Sequence, residues 1–259
     1  MTTATGEGLR RELRDAVLEL TISRPERMNA VDMATMLALG DAIRSAGGDP
    51  AVRSILLTGS GSAFCTGADL AATVENPTDP SVVMDVANDV VRAIVEVPVP
   101  VVAAVNGPAA GIGVSLALAA DLTYAAESAY FLLAFVRIGL MPDGGSSLLV
   151  PAAIGRAKAA EMALLGERVS AIDADRIGLV SRALPDDELA DHARGVALRL
   201  ASGPRRALEL TKRSLNSATL AALDDALTLE KTGQADLLAS ADFAEGAAAI
   251  LQKRAPHFP

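Results

Sequence analysis

The chain has 259 residues, 51% of them hydrophobic, enough to bury a large core in one sizeable domain with an appendage or in two small ones. Its net charge of -9 comes without the concentrated basic face that a phosphate backbone requires, so nucleic acid is excluded as a partner. Small clusters such as Arg24 and Arg27, Lys212 and Arg213, or Lys253 and Arg254 still suit an anionic small molecule.

Residues 1–15 show no basic stretch leading into an apolar one, so no secretory signal is read there. Cys65 is the single cysteine, which rules out an internal disulfide and fits a reducing, cytoplasmic compartment; it reads as a small packed residue rather than a nucleophile. Runs of β-branched and apolar residues predict strands over 16–23, 53–58, 99–105, 122–126 and 179–183. Helical spacing predicts helices over 33–46, 82–97, 113–120, 156–165 and 171–177, an alternation that defines an α/β class. From residue 188 the pattern turns all-helical, over 188–201, 204–217, 218–238 and 241–253. A boundary near 200 therefore separates an α/β core, 1–200, from a helical region, 201–259. Loop 71–81, with two prolines, reads equally as an access loop and as ordinary surface. Segment 101–120 is uncharged and long enough to span a bilayer, but Gly107, Pro108, Gly111 and Gly113 break it, so no membrane span is expected.

Two segments repeat one design. In 54–70, SILLTGSGSAFCTGADL, and in 99–121, VPVVAAVNGPAAGIGVSLALAAD, an apolar strand runs into a glycine-broken turn, which is how backbone N–H groups become aimed at a ligand. Neither segment matches a dinucleotide fingerprint or a phosphate-binding P-loop. The two histidines, His192 and His257, both fall in the C-terminal helices, so a His-dependent triad in the core is excluded and no metal site is expected. Acid–base work by a carboxylate remains. Asp143, between Pro142 and Gly144-Gly145, is the distinctive candidate, although a carboxylate at a helix start also reads as an N-cap.

Taken together, TGSGSAFCTGADL, VPVVAAVNGPAAGIG, RIGLMPDGG, the 24–30 segment RPERMNA and the terminal LQKRAPHF resemble the crotonase superfamily, the enoyl-CoA hydratase/isomerase family, in family order and over nearly the whole chain. The resemblance implies a spiral of ββα turns, a C-terminal helical region used in trimer formation, and an acyl-CoA thioester as ligand. The assembly it implies is a homotrimer or a dimer of trimers, with the apolar face of Leu220, Leu223, Leu227 and the neighbours of Glu230 expected against a partner chain. No cofactor is implied, because coenzyme A is part of the substrate.

By position, the resemblance places an oxyanion hole at the N–H groups of Ala68 and Ile112, the latter where the family often has glycine. Gly67, Asp69, Leu70, Gly111, Ser115 and Phe135 are expected around the acyl group, Arg27 and Ala30 near the nucleotide end, and Lys253 near a phosphate. Asp69 and Glu127 also read as structural carboxylates. The two glutamates of family hydratases align with Ser115 and Phe135, so both hydratase carboxylates are absent. Asp143 stands where double-bond isomerases of the family, and aroyl-CoA dehalogenases, carry an acid; dehalogenation also needs a core histidine, and there is none. Phe135 is expected as an apolar wall that raises the pKa of Asp143, and Ser115 as a group able to orient water. The expected activity is a shift of a double bond from 3-enoyl-CoA to 2-enoyl-CoA with Asp143 as proton shuttle. Two alternatives are an inefficient hydratase and a non-catalytic acyl-CoA binding protein.

Overall fold

The computed structural model describes residues 2–6, 8–69, 72 and 78–258. Leu70, expected beside the substrate, and residues 71 and 73–77 of the expected access loop lie outside the described residues. The chain opens with β1 (Thr2–Gly6), β2 (Leu9–Arg14) and β3 (Val17–Ile22), an antiparallel meander. From β3 the sheet continues in parallel through β4 (Ser54–Gly59) and β5 (Val101–Val105). A second, three-stranded sheet joins β6 (Ala109–Ala110), β8 (Tyr130–Leu132) and β9 (Arg168–Ser170), while β7 (Leu122–Ala126) and β10 (Arg182–Leu184) complete the seven-stranded one.

Parallel neighbours need crossovers. Here α1 (Met33–Gly48) joins β3 to β4, α2 (Pro80–Glu96) joins β4 to β5, and α3 (Ile112–Leu118) lies between β5 and β7. Helices cover both faces of the central strands, and all five residues of β5 are buried. Local chemistry starts the helices. Asp32 accepts from Thr35 N–H (2.8 Å) at the head of α1, and Asp79 from Ser81 N–H (2.8 Å) with Pro80 in the first turn of α2.

Later elements are α4 (Ser146–Leu165), α5 (Ala171–Ile177), α6 (Leu189–Ala201), α7 (Arg205–Thr219), α8 (Leu223–Leu237) and α9 (Ala241–Leu251). α4 begins at Ser146, well ahead of the expected 156, because Gly155 (φ 74°, ψ 161°) splits it into two helical pieces and only the second has a clean helical spacing. The last strand begins at Arg182 rather than 179, since Leu179 N–H turns back to Ala174 O (2.8 Å) to close α5. β1, β2, β6, β8 and β9 were not expected.

The C-terminal helices are knitted into the core. On α6, Ala193, Ala197 and Ala201 are buried, and Ser54 Oγ of β4 donates to Ala197 O (2.8 Å). On α7, the buried Lys212 donates to Ile94 O (2.8 Å) and pairs with Asp121 (2.9 Å). On α8, Leu223, Leu227, Glu230 and Gln234 form a single buried stripe at helical spacing that meets α2 and the turn at Gly145. This corrects the expectation that Leu223 and Leu227 face a partner chain: they fill the protein's own interior, and Leu229 on the other side is exposed.

Candidate active site

The two glycine turns meet. Gly67 adopts φ +109°, a conformation open to glycine, and its Cα lies against Gly111 of the second turn. Val31 N–H donates to Gly67 O (2.8 Å) and Asp69 N–H to Val31 O (3.0 Å), a pair of bonds that brackets Ala68. In the second turn Gly111 N–H is taken by Leu132 O (3.0 Å), and Ile112 is the first residue of α3. The N–H groups of Ala68 and Ile112 donate to nothing among the described residues.

Buried side chains fix this pair of turns. Asn29 donates through Nδ2 to Ser60 O (2.8 Å) and Ala63 O (2.6 Å), and Asn106 accepts from Gly59 N–H (3.1 Å). Arg24 reaches Asp69 (2.9 Å), Asp32 (3.0 Å) and Ala30 O, tying segment 24–32 to the first turn. Burial alone would push the Asp69 carboxyl up, but Ala72 N–H and Arg24 bring it below the ordinary carboxylate value, so it is a committed anion. Cys65 is fully buried and its thiol is pushed up to about 12, as expected of a packing residue.

Asp143 sits between the second sheet and α4. Ser115 Oγ donates to its carbonyl (3.0 Å), and Gln234 Nε2 donates to its Oδ2 (2.8 Å). The residue as a whole is half-buried, yet Oδ1 is shielded from solvent and has no hydrogen-bond partner. Burial pushes the carboxyl up from 3.8 to about 7; Gln234 opposes the rise and the negative Glu230 adds to it. Asp143 is not the N-cap of α4. That position belongs to Gly145, and the orphan N–H groups of Gly145 (2.6 Å) and Ser147 (2.9 Å) are accepted by Glu230 of α8. The turn also demands glycine at 144: its φ is +59°, and a Cβ there would lie 2.2 Å from Ile112 Cδ1.

These groups share one cavity of about 320 Å³. Ala68, Asp69, Ile112 and Asp143 line it, and Val31, with Met33, Ala34 and Met36 of α1 and Val83, Met84 and Ala87 of α2, adds an aliphatic wall. Larger surface hollows lie elsewhere, one of them between Arg44 and Arg92, but these are open, and both arginines there are paired with aspartates. The aliphatic wall carries no signature in the sequence, because helix-face apolar residues bear no mark that separates cavity from core.

Two expected roles, those of Phe135 and Ser115, need correction. Phe135 is buried against Gly111 and is not among the residues lining the cavity, so it is no part of the cavity wall. Ser115 is fully buried and spends its hydroxyl on Asp143 O, so it holds the backbone at Asp143 rather than water. Ala30 gives its carbonyl to Arg24. Arg27 and Lys253 are exposed and stand outside the cavity lining, and Glu127 follows the end of β7 with its N–H bonded to Leu184 O (2.8 Å).

An α/β fold whose paired glycine turns hold unengaged amides in one apolar cavity with a carboxylate matches the crotonase fold. The family model for enoyl-CoA hydratase/isomerase matches residues 12–259. Among curated relatives, a probable enoyl-CoA hydratase of Rhodobacter capsulatus is 43% identical over 96% of this chain and 97% of its own. A 1,2-epoxyphenylacetyl-CoA isomerase of Escherichia coli is 40% identical over 93% of this chain and 94% of its own. The crystal structure of an enoyl-CoA hydratase from Mycobacterium avium subsp. paratuberculosis superposes with a TM-score of 0.91 at 45% identity, covering 97% of this chain and 98% of that one. The chain belongs to the enoyl-CoA hydratase/isomerase family. No described helix is long and apolar enough to cross a membrane.

Proposed function

We propose that the protein is a double-bond isomerase that converts a 3-enoyl-CoA into a 2-enoyl-CoA. The observation that carries this reading is a single carboxylate with a free oxygen, Asp143, in one cavity with two unengaged amides, those of Ala68 and Ile112. The thioester oxygen accepts both N–H groups, the Asp143 carboxylate takes the proton from C2, and the resulting dienolate keeps its charge on the amide-bound oxygen. The protonated carboxyl then returns its proton to C4 and the double bond comes to rest between C2 and C3. Each amide contributes a few kcal/mol to the transition state, about 3 for one donor.

A hydratase needs a second acid–base group to activate water. The matching positions hold Ser115, committed to Asp143 O, and Phe135, so addition of water is disfavoured. A purely binding role rested on Asp143 serving as a helix cap, and Glu230 fills that role instead. No cofactor or metal enters the scheme beyond the coenzyme A of the substrate. We place the enzyme in the cytoplasm as a homotrimer or a dimer of trimers; a stable monomer in light scattering contradicts that assembly.

The ionised carboxylate is the working base, so kcat/KM rises with pH and levels off above about 7. Asp143→Asn is expected to lower turnover of a 3-enoyl-CoA by at least about a hundredfold while leaving thioester binding intact. Unchanged turnover sinks the assignment. Efficient formation of 3-hydroxyacyl-CoA from a 2-enoyl-CoA supports the hydratase in its place.

A further inference from the structure

Two polar side chains buried on α8, Glu230 and Gln234, lie one helical turn apart on the stripe that faces segment 141–147. Both are almost wholly shielded from solvent, at 0% and 1% exposure, although nothing in the reaction chemistry requires a polar residue there. Buried polar groups are costly unless satisfied, and these two are satisfied by the turn that carries Asp143.

We propose that Glu230 and Gln234 form the positioning device of the base: Gln234 anchors Oδ2 of Asp143 and leaves Oδ1 as its one unpartnered oxygen, while Glu230 clamps the same turn. The inference rests on the reading of Asp143 as the base.

The geometry of Gln234 admits one orientation. Its Oε1 accepts from Met141 N–H (3.2 Å), which aims Nε2 at Asp143 Oδ2 (2.8 Å); a rotated amide would set oxygen against carboxylate and N–H against N–H. Pro142, between the two contacts, has no N–H of its own to satisfy. Glu230 takes Gly145 N–H through Oε2 and Ser147 N–H through Oε1, and Ser146 N–H closes on Asp143 O (3.1 Å). Every contact of this turn therefore constrains where Oδ1 points, yet none touches Oδ1.

The two side chains also act on the charge of Asp143 in opposite directions. A donor at Oδ2 favours the ionised carboxylate, and the neighbouring carboxylate of Glu230 disfavours it. Asp32 and Asp69, which also line the cavity, are both paired with Arg24, which leaves Glu230 as the charge that bears on Asp143. A merely structural pair would shift stability alone. A positioning pair moves the ionisation of Asp143 upward when Gln234 is altered and downward when Glu230 is neutralised.

The test uses the full-length protein with Gln234→Met and Glu230→Gln. Three readouts are followed: melting temperature, kcat and KM for a 3-enoyl-CoA as a function of pH, and the carboxyl titration of Asp143 by infrared difference against Asp143→Asn. Gln234→Met is expected to raise the acid limb by about half to one pH unit and lower kcat about tenfold with KM within about twofold. Glu230→Gln is expected to move the limb down. Folded variants whose limbs stay in place, or move the same way, overturn the proposal.

Should Gln234→Met fail to fold, Gln234→Glu keeps the shape of the side chain and sets a second carboxyl against Oδ2. An upward limb then supports the proposal, and an unmoved one overturns it. If Asp143→Asn keeps its turnover, the base reading itself fails. The infrared titration still reports on the tether without any turnover, and an Asp143 signal indifferent to Gln234 overturns it.

Discussion

Asp143→Asn also separates what the carboxyl costs the fold from what it does to substrate. In the folded chain this group titrates near 7, against 3.8 for an ordinary aspartate. Between those values the folded protein holds a proton that the unfolded chain has lost. Stability is therefore fully present below about pH 4, falls as pH rises towards 7, and is flat above. At about 1.4 kcal/mol per pH unit, roughly three units give an upper bound of about 4 kcal/mol. The residue is only half-buried as a whole, so about 2 kcal/mol is a fair lower figure once relaxation of solvent is allowed for. Asparagine does not titrate. Its unmatched amide adds an offset of about 1–3 kcal/mol that does not depend on pH. Urea denaturation of both proteins from pH 4 to pH 8 should show the asparagine variant gaining about 2–4 kcal/mol on the wild type, with the gain complete near pH 7. A difference that stays constant across that range refutes the claim that the fold holds this carboxyl out of water.

Gly144→Ala brings a methyl group within 2.2 Å of Ile112 Cδ1 at a φ of +59°, and is expected to cost about 1–3 kcal/mol and to displace Asp143. Adding Ile112→Val, which lacks the clashing atom, should recover part of that loss in denaturant titrations; strictly additive losses would deny the contact. Lys212→Met leaves Asp121 with the N–H of Val101 (2.8 Å) and no cation, for an expected loss of about 3–5 kcal/mol. A further Asp121→Leu change should restore most of it, and a double variant as unstable as the single one counts against a paired origin of the cost.

What the sequence disclosed was local in origin. The apolar runs of β3, β4, β5 and β7 and the spacing of α1, α2 and α5 are short-range patterns, and they fall within a few residues of where the chain folds them. β2 escaped notice because Leu-Arg-Arg-Glu-Leu-Arg carries four charged residues on a strand that is only partly covered. The two glycine turns and Asp143 were visible through glycine, proline and a resemblance spread along the chain. Their supports were not. Gln234 and Glu230 stand far downstream of the turn they hold, in a helix whose sequence offers no local reason to link them to it. Ser115 and Phe135 show the converse. Their positions were legible, but the direction each side chain takes depends on neighbours brought in by packing, and both turned out to serve the framework.

The start of α4 is closed by a carboxylate from α8 rather than by any side chain of its own first turn. A ribosome thus releases the segment bearing Asp143 long before the group that terminates its open amides exists. A chain cut short ahead of residue 223 would carry Asp143 without Glu230 and Gln234, the two side chains that hold its turn.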